Sequence, residues 1–136
     1  VTRSGKGSPL PHVEVDANFT NLNTDQTGYI AGEGGTVAQS TSKSTAVTLS
    51  KKCGQITMNA ASLAAATTVS FTLTNTTIAA TDLLVLNHIN GGTVGSYLLN
   101  AQAAAGSATI NVRNNTAGAL AEAIVIRFAL VKASIT

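Results

Sequence analysis

The sequence predicts an all-β fold, a single β-sandwich or jelly-roll-like domain preceded by an N-terminal arm. Three observations carry this. From residue 36 onward, short β-type runs recur at regular spacing with turn clusters between them. Several runs alternate apolar and polar residues with a period of two. Composition is poor in charge, at 10% Asp, Glu, Lys and Arg, and poor in aromatics, at 4% with no Trp. A core in this chain must therefore be made from Val, Ile, Leu and Ala.

The 136 residues set room for one domain plus an arm. Residues 1–11 hold Arg3, Gly5, Lys6, Gly7, Ser8, Pro9 and Pro11, too little apolar surface to bury. Residues 12–27 read HVEVDANFTNLNTDQT. Here Val15, Phe19 and Leu22 fall at i, i+4 and i+7, one face of a short helix that must dock on something larger. The stretch from Gly28 to Gly35, GYIAGEGG, reads as a flexible linker. This divides the chain into an anchoring arm and linker, 1–35, and a β domain, 36–136.

Within that domain the expected strands are 37–39, 45–49, 55–58, 67–74, 83–89, 96–103, 109–113 and 123–131. In TVSFTLT, Val69, Phe71 and Leu73 point one way and Ser70, Thr72 and Thr74 the other; Ile110 and Val112 alternate likewise with Asn111 and Arg113. The runs LLVLNHI at 83–89 and AIVIRFALV at 123–131 are apolar at both parities, so both faces of each should be covered. A domain of this size has limited means of doing that alone, and a homo-oligomer is the expected solution. Ile124, Ile126, Phe128 and Leu130 are the expected core or subunit seam. The tract 60–66, AASLAAA, fits either a helical turn or a loop between strands.

The search for chemistry returns no catalytic, cofactor-binding or metal site. His12 and His88 stand far apart, without the spacing of a metal pair. His88 is expected as a hydrogen-bonded or interface histidine. Cys53 is the single cysteine, which excludes an intrachain disulfide; it is expected as a small buried thiol at a strand start. Asp82 and Glu122 stand alone in the β domain, and no carboxylate pair can be drawn. The sequons at Asn18, Asn75 and Asn114 are expected by chance in a chain this rich in Asn and Thr.

Net charge is +2. Lys43, Lys51, Lys52, Arg113, Arg127 and Lys132 make the β domain basic, whereas Glu14, Asp16, Asp25 and Glu33 make the N-terminal third acidic. Without interleaved aromatics these cations do not read as a nucleic-acid surface. They read as a solvated face, complementary to an acidic partner or to the acidic arm. No apolar run approaches the length of a transmembrane helix, and the N-terminal residues lack the apolar segment of a signal peptide.

Residues 5–23, GKGSPLPHVEVDANFTNLN, resemble an N-terminal motif of tailed-bacteriophage structural proteins, roughly K-G-S-x-L-T-H-x-E-x-D-x-N-F-x-N-L. Residues 34–58, the SFTLTN segment and the terminal IRFALVKA resemble a small β domain of phage fibre and virion-surface proteins. The resemblance implies a homotrimeric virion component with no enzymatic activity and no cofactor, assembled in the host cytoplasm and held to the particle by Val15, Phe19 and Leu22. Its implied partners are itself and the major capsid protein or another virion structural protein, with a host surface glycan as a further one, and neither nucleic acid nor membrane. A capsid decoration or head-fibre protein is the first reading, since nothing in the chain looks like a repeating shaft. A short tail-fibre or tail-tip protein is the second, and a non-phage surface adhesion module is more remote. Where the motif has Thr this chain has Pro11, which removes the Thr cap but suits a first helical position, so the arm is expected as short-helical or extended.

Overall fold

A computed structural model describes residues 28–135, which form a β-sandwich of two four-stranded sheets with no helix. The strands are β1 (Thr36–Ala38), β2 (Val47–Thr48), β3 (Cys53–Thr57), β4 (Thr68–Thr74), β5 (Leu83–Asn90), β6 (Tyr97–Ala104), β7 (Ser107–Asn114) and β8 (Val125–Val131). Each corresponds to one of the eight expected runs, with ends shifted by a few residues. One sheet has the order β1-β3-β8-β5 and the other β2-β4-β7-β6. The first two strands pair in parallel with β3 and β4, and all other pairings are antiparallel.

Alternation decides what each sheet presents inward. In β4, Phe71 and Leu73 are buried; across the register in β7, Ala108, Ile110 and Val112 join them. The facing sheet contributes Ile56 from β3 and Ile126, Phe128 and Leu130 from β8, with Ile124 just before that strand. Ile124, Ile126, Phe128 and Leu130 are each at most 1% exposed, so all four fill the core of a single chain. Core side chains of this size contribute about 1.5–3 kcal/mol each relative to exposure.

Two of the sequons have a structural role. Asn75 follows β4 and Asn114 ends β7, and both are fully buried. In each, the side-chain oxygen accepts from the backbone N–H and the hydroxyl of the Thr two residues on, Thr77 or Thr116, closing a turn. The Asn75 amide donates to the Lys51 carbonyl at 2.7 Å. The Asn114 amide donates to the carbonyls of Leu63, Ala64 and Gly118 at 3.1, 3.1 and 2.7 Å.

Those last bonds settle the alanine tract. Residues 60–66 are a loop, because Asn114 takes the carbonyls of Leu63 and Ala64 that a helix would need. Asn59 Oδ1 accepts from Ala61 N–H at 2.8 Å, and Leu63 bridges Leu120 by a reciprocal pair of backbone bonds. Gly35, expected in the linker, is packed against the domain: its carbonyl accepts from Gln55 N–H at 2.9 Å, and a Cβ there would stand 2.8 Å from Leu49 Cδ1.

One charged group departs from expectation: Lys43 is buried, not solvated, and its ammonium donates to the carbonyls of Asn59 and Glu122. Asp82 pairs with Lys132 at 2.7 Å and accepts from Ala79 N–H. Glu122 accepts from the Thr93 hydroxyl, the Thr93 N–H and the Tyr97 hydroxyl at 2.7, 3.0 and 2.8 Å.

Candidate assembly surface

The sandwich closes unevenly. Along the centre of the sheets, inward residues are sealed. At the border where β5 of one sheet lies beside β6 of the other, the inward side chains Leu84, Leu86, Leu99, Ala101 and Ala103 are only half-buried. No strand covers them. The outward side chains of the same two strands add Leu83, Val85 and Leu98, which are 61%, 57% and 58% exposed. The outward face is mixed, since Asn87, Asn100 and Gln102 share it, but its apolar members lie at one end of each strand. The expectation that strands 83–89 and 123–131 are covered on both faces is not met within one chain: Leu83 and Val85 on β5 and Val131 on β8 face solvent. Their concealment would need another body, and full burial of an aliphatic side chain is worth about 1.5–3 kcal/mol.

The four sheet edges differ in a way that bears on this border. An exposed strand edge offers unpaired backbone groups to another chain, and proteins blunt such edges by shortening, bulging or charging them. β1 has three residues and β2 two. β5 is bulged at Ile89, where the register shifts between His88 and Asn90. β6 runs eight residues in unbroken register with β7, and its sequence, YLLNAQAA, holds neither charge nor proline.

One end of the border is fixed by a polar cluster. The loop from β5 to β6 turns through Gly91 and Gly92, both with positive φ, and a Cβ on Gly91 would lie 2.4 Å from the Ala123 carbonyl oxygen. Glu122 holds the loop through Thr93, and those bonds keep its carboxyl below the usual carboxylate range, the Thr93 hydroxyl contributing most. Tyr97, donating to the same carboxylate, has its phenol pushed well up by burial and by that contact. His88 stands edge-on to Tyr97, ring centroids 5.7 Å apart, with Nε2 at the carbonyls of Asn90 and Gly91. These groups face backbone and each other, and they brace a turn.

A second feature lies on the outer face of the β3–β8 pair, a groove of about 780 Å³. Ala129 and Val131 of β8 and Cys53 of β3 form its apolar floor, Arg127 and Lys132 its basic ends and Tyr29 its lip. The Tyr29 hydroxyl donates to the Leu130 carbonyl. Cys53 is the first residue of β3 and half-buried.

Of the residues singled out in the sequence, Val15, Phe19 and Leu22 lie outside the described residues. Leu83, Val85 and Leu98 were not singled out individually, and the signal for them was the pair of adjacent apolar residues at 83–84 and 98–99. Comparison of the chain with protein-family models, with curated proteins and with solved structures finds no match.

Proposed function

We propose that this chain is a bacteriophage virion structural protein, a small homotrimeric capsid decoration or head-fibre protein attached to the particle by its N-terminal arm. The observation that carries the reading is the unclosed border between β5 and β6. A chain that leaves the inward-facing Leu84, Leu86, Leu99, Ala101 and Ala103 only half-covered there, beside Leu83, Val85 and Leu98, is completed by copies of itself. The virion and the number three come from the likeness of residues 5–23 and 34–58 to phage structural proteins. In this reading the role is assembly and not catalysis. Val15, Phe19 and Leu22 supply the apolar contact to a capsid or other virion protein, and the segment up to Gly34 lets a threefold body meet a site of different local symmetry.

Two measurements test it. Sedimentation of the full chain at micromolar concentration is expected to give a trimer, and a stable monomer overturns the oligomer. Electron microscopy of the particle is expected to place the chain at capsomer centres or threefold positions, and density at the tail tip overturns the decoration reading in favour of a tail protein.

A further inference from the structure

We propose that Asn90 is a self-modifying site: the main-chain nitrogen of Gly91 attacks its side-chain amide, and Asn90 converts to aspartate or isoaspartate with loss of ammonia. The inference concerns the loop that leaves β5, goes beyond the virion reading and stands without it.

Three observations identify the site. The first is access. Asn87, Asn90, Asn100 and Asn115 are the exposed asparagines among the described residues, and of these Asn90 alone is followed by glycine. At the other three the next side chain crowds the nitrogen that would attack; at Gly91 there is no Cβ to do so. The second is geometry. Gly91 N–H, one residue past the end of β5, donates to Asn90 Oδ1 at 2.8 Å, which sets the attacking nitrogen beside the side-chain carbonyl. The third is polarisation. A carbonyl only accepts, so His88 Nε2 carries the proton and donates to the Asn90 carbonyl at 3.0 Å. That carbonyl and Gly91 N–H belong to one peptide unit, and charge drawn toward its oxygen acidifies the nitrogen. A cavity of about 180 Å³ lined by His88, Asn90, Gly91 and Gly92 gives water room to take part.

The reaction needs water alone. Gly91 N gives its proton to water and bonds to Asn90 Cγ; the Cγ–Nδ2 bond breaks, and Nδ2 leaves as ammonia with a proton returned from water. Water then opens the cyclic imide. Cleavage between Gly91 N and Cγ gives aspartate, and cleavage between Gly91 N and the main-chain carbonyl carbon gives isoaspartate, with one more carbon in the main chain. Either product adds a carboxylate to the loop that Glu122 already holds through Thr93. The lengthened product also meets a close fit, since a Cβ on Gly91 would lie 2.4 Å from the Ala123 carbonyl oxygen. The same contact requires glycine at 91, so the fold itself retains the reactive half of the pair.

The test is incubation of the full chain in mildly alkaline buffer, then digestion and location of the converted sites by fragment mass spectrometry. Position 90 is expected to gain about 1 Da at least about tenfold faster than positions 87, 100 and 115. Earlier conversion at another exposed asparagine, or conversion at position 90 only when the chain is unfolded in urea, overturns the proposal. In Asn90→Gln the amide stands one carbon too far for the same ring, and the gain is expected to vanish; its persistence overturns the assignment. Asn90 is exposed, so this variant leaves the core intact. His88→Ala is expected to slow the native rate about threefold with no comparable change in urea. An unchanged or faster native rate overturns the part given to His88.

Discussion

Lys43 grips the main chain of Glu122 and not its carboxylate. The ammonium donates to the Glu122 and Asn59 carbonyls, while the carboxylate takes Thr93 and Tyr97. A single residue thus ties the loop before β8 to the loop before β2 through its backbone and to the β5–β6 loop through its side chain. Lys43→Met leaves two carbonyls without a donor and is expected to cost about 1–3 kcal/mol in urea unfolding at neutral pH. Burial holds the Lys43 pKa below the usual lysine value, the Glu122 charge opposing it. The unfolded chain therefore binds this proton more readily than the folded one. Stability of the wild type relative to Lys43→Met should rise as pH climbs through the folded-state pKa toward 10.5, the ordinary lysine value.

The carboxyl groups act in the same direction at acid pH. Asp82 is held below its usual pKa first by the Lys132 hydrogen bond and then by the Ala79 N–H, and Glu122 first by the Thr93 hydroxyl. Depressed carboxyl pKa values give stability that is complete above their ordinary values of 3.8 and 4.5 and lost as pH falls through the folded-state values. Thermal melts between about pH 2 and 6 should show a shallower acid limb in Asp82→Asn and in Glu122→Gln than in the wild type.

Asn114 joins the β3–β4 and β7–β8 connections through one amide. Replacing it with Ala leaves the carbonyls of Leu63, Ala64 and Gly118 unpaired in a buried place, with an expected cost of about 3 kcal/mol or more. Hydrogen exchange should locate the damage: amides of Leu63, Ala66 and Leu120, bonded across the loops that Asn114 ties together, are expected to lose protection before those of β4.

Gly54 faces inward on β3, where a Cβ would lie 2.7 Å from both the Gly35 carbonyl oxygen and Leu49 Cδ2, and 3.1 Å from the Phe128 ring. The carbonyl cannot retreat without breaking its bond to Gln55 N–H. Gly54→Ala is expected to destabilise by about 1–3 kcal/mol as an overpacked core site, measured as a lower urea midpoint.

In the proposed oligomer, the β5–β6 border separates assembly from folding. Val85→Arg and Leu98→Glu alter exposed side chains, so each variant should retain the wild-type far-UV circular dichroism while sedimenting as a monomer. Loss of structure together with loss of oligomer would place these residues in the fold itself.

The strands were legible because alternation is a direct imprint of a two-faced sheet. Val69, Phe71 and Leu73 could point only one way, and the structure buries Phe71 and Leu73 as that parity requires. Ile124, Ile126, Phe128 and Leu130 were legible as a set, but the choice between core and seam was not. That choice depends on which parity of β8 meets the other sheet, and residues 123–131 are apolar at both. Lys43 was illegible for a different reason: its burial depends on two carbonyls brought in from positions 59 and 122, which no local pattern encodes. The same holds for Asn75 and Asn114. Their N-x-T spacing was visible, but its use as a buried turn clamp appears only once the far carbonyls are in place.

The strand order places β8 between β3 and β5, and this has a consequence for synthesis. Chains are made in one direction, and until β8 has left the ribosome β5 has no neighbour in its sheet and β3 has only the three-residue β1. The first sheet closes in one late event that joins Cys53 to Ala129 and Leu83 to Val131 across sequence separations of 76 and 48 residues. A prematurely terminated chain would have the β2-β4-β7-β6 sheet and the β1-β3 pair, with β5 unattached and the border unfinished. In the proposed oligomer, topology alone thereby bars incomplete products, before any quality control need act on them.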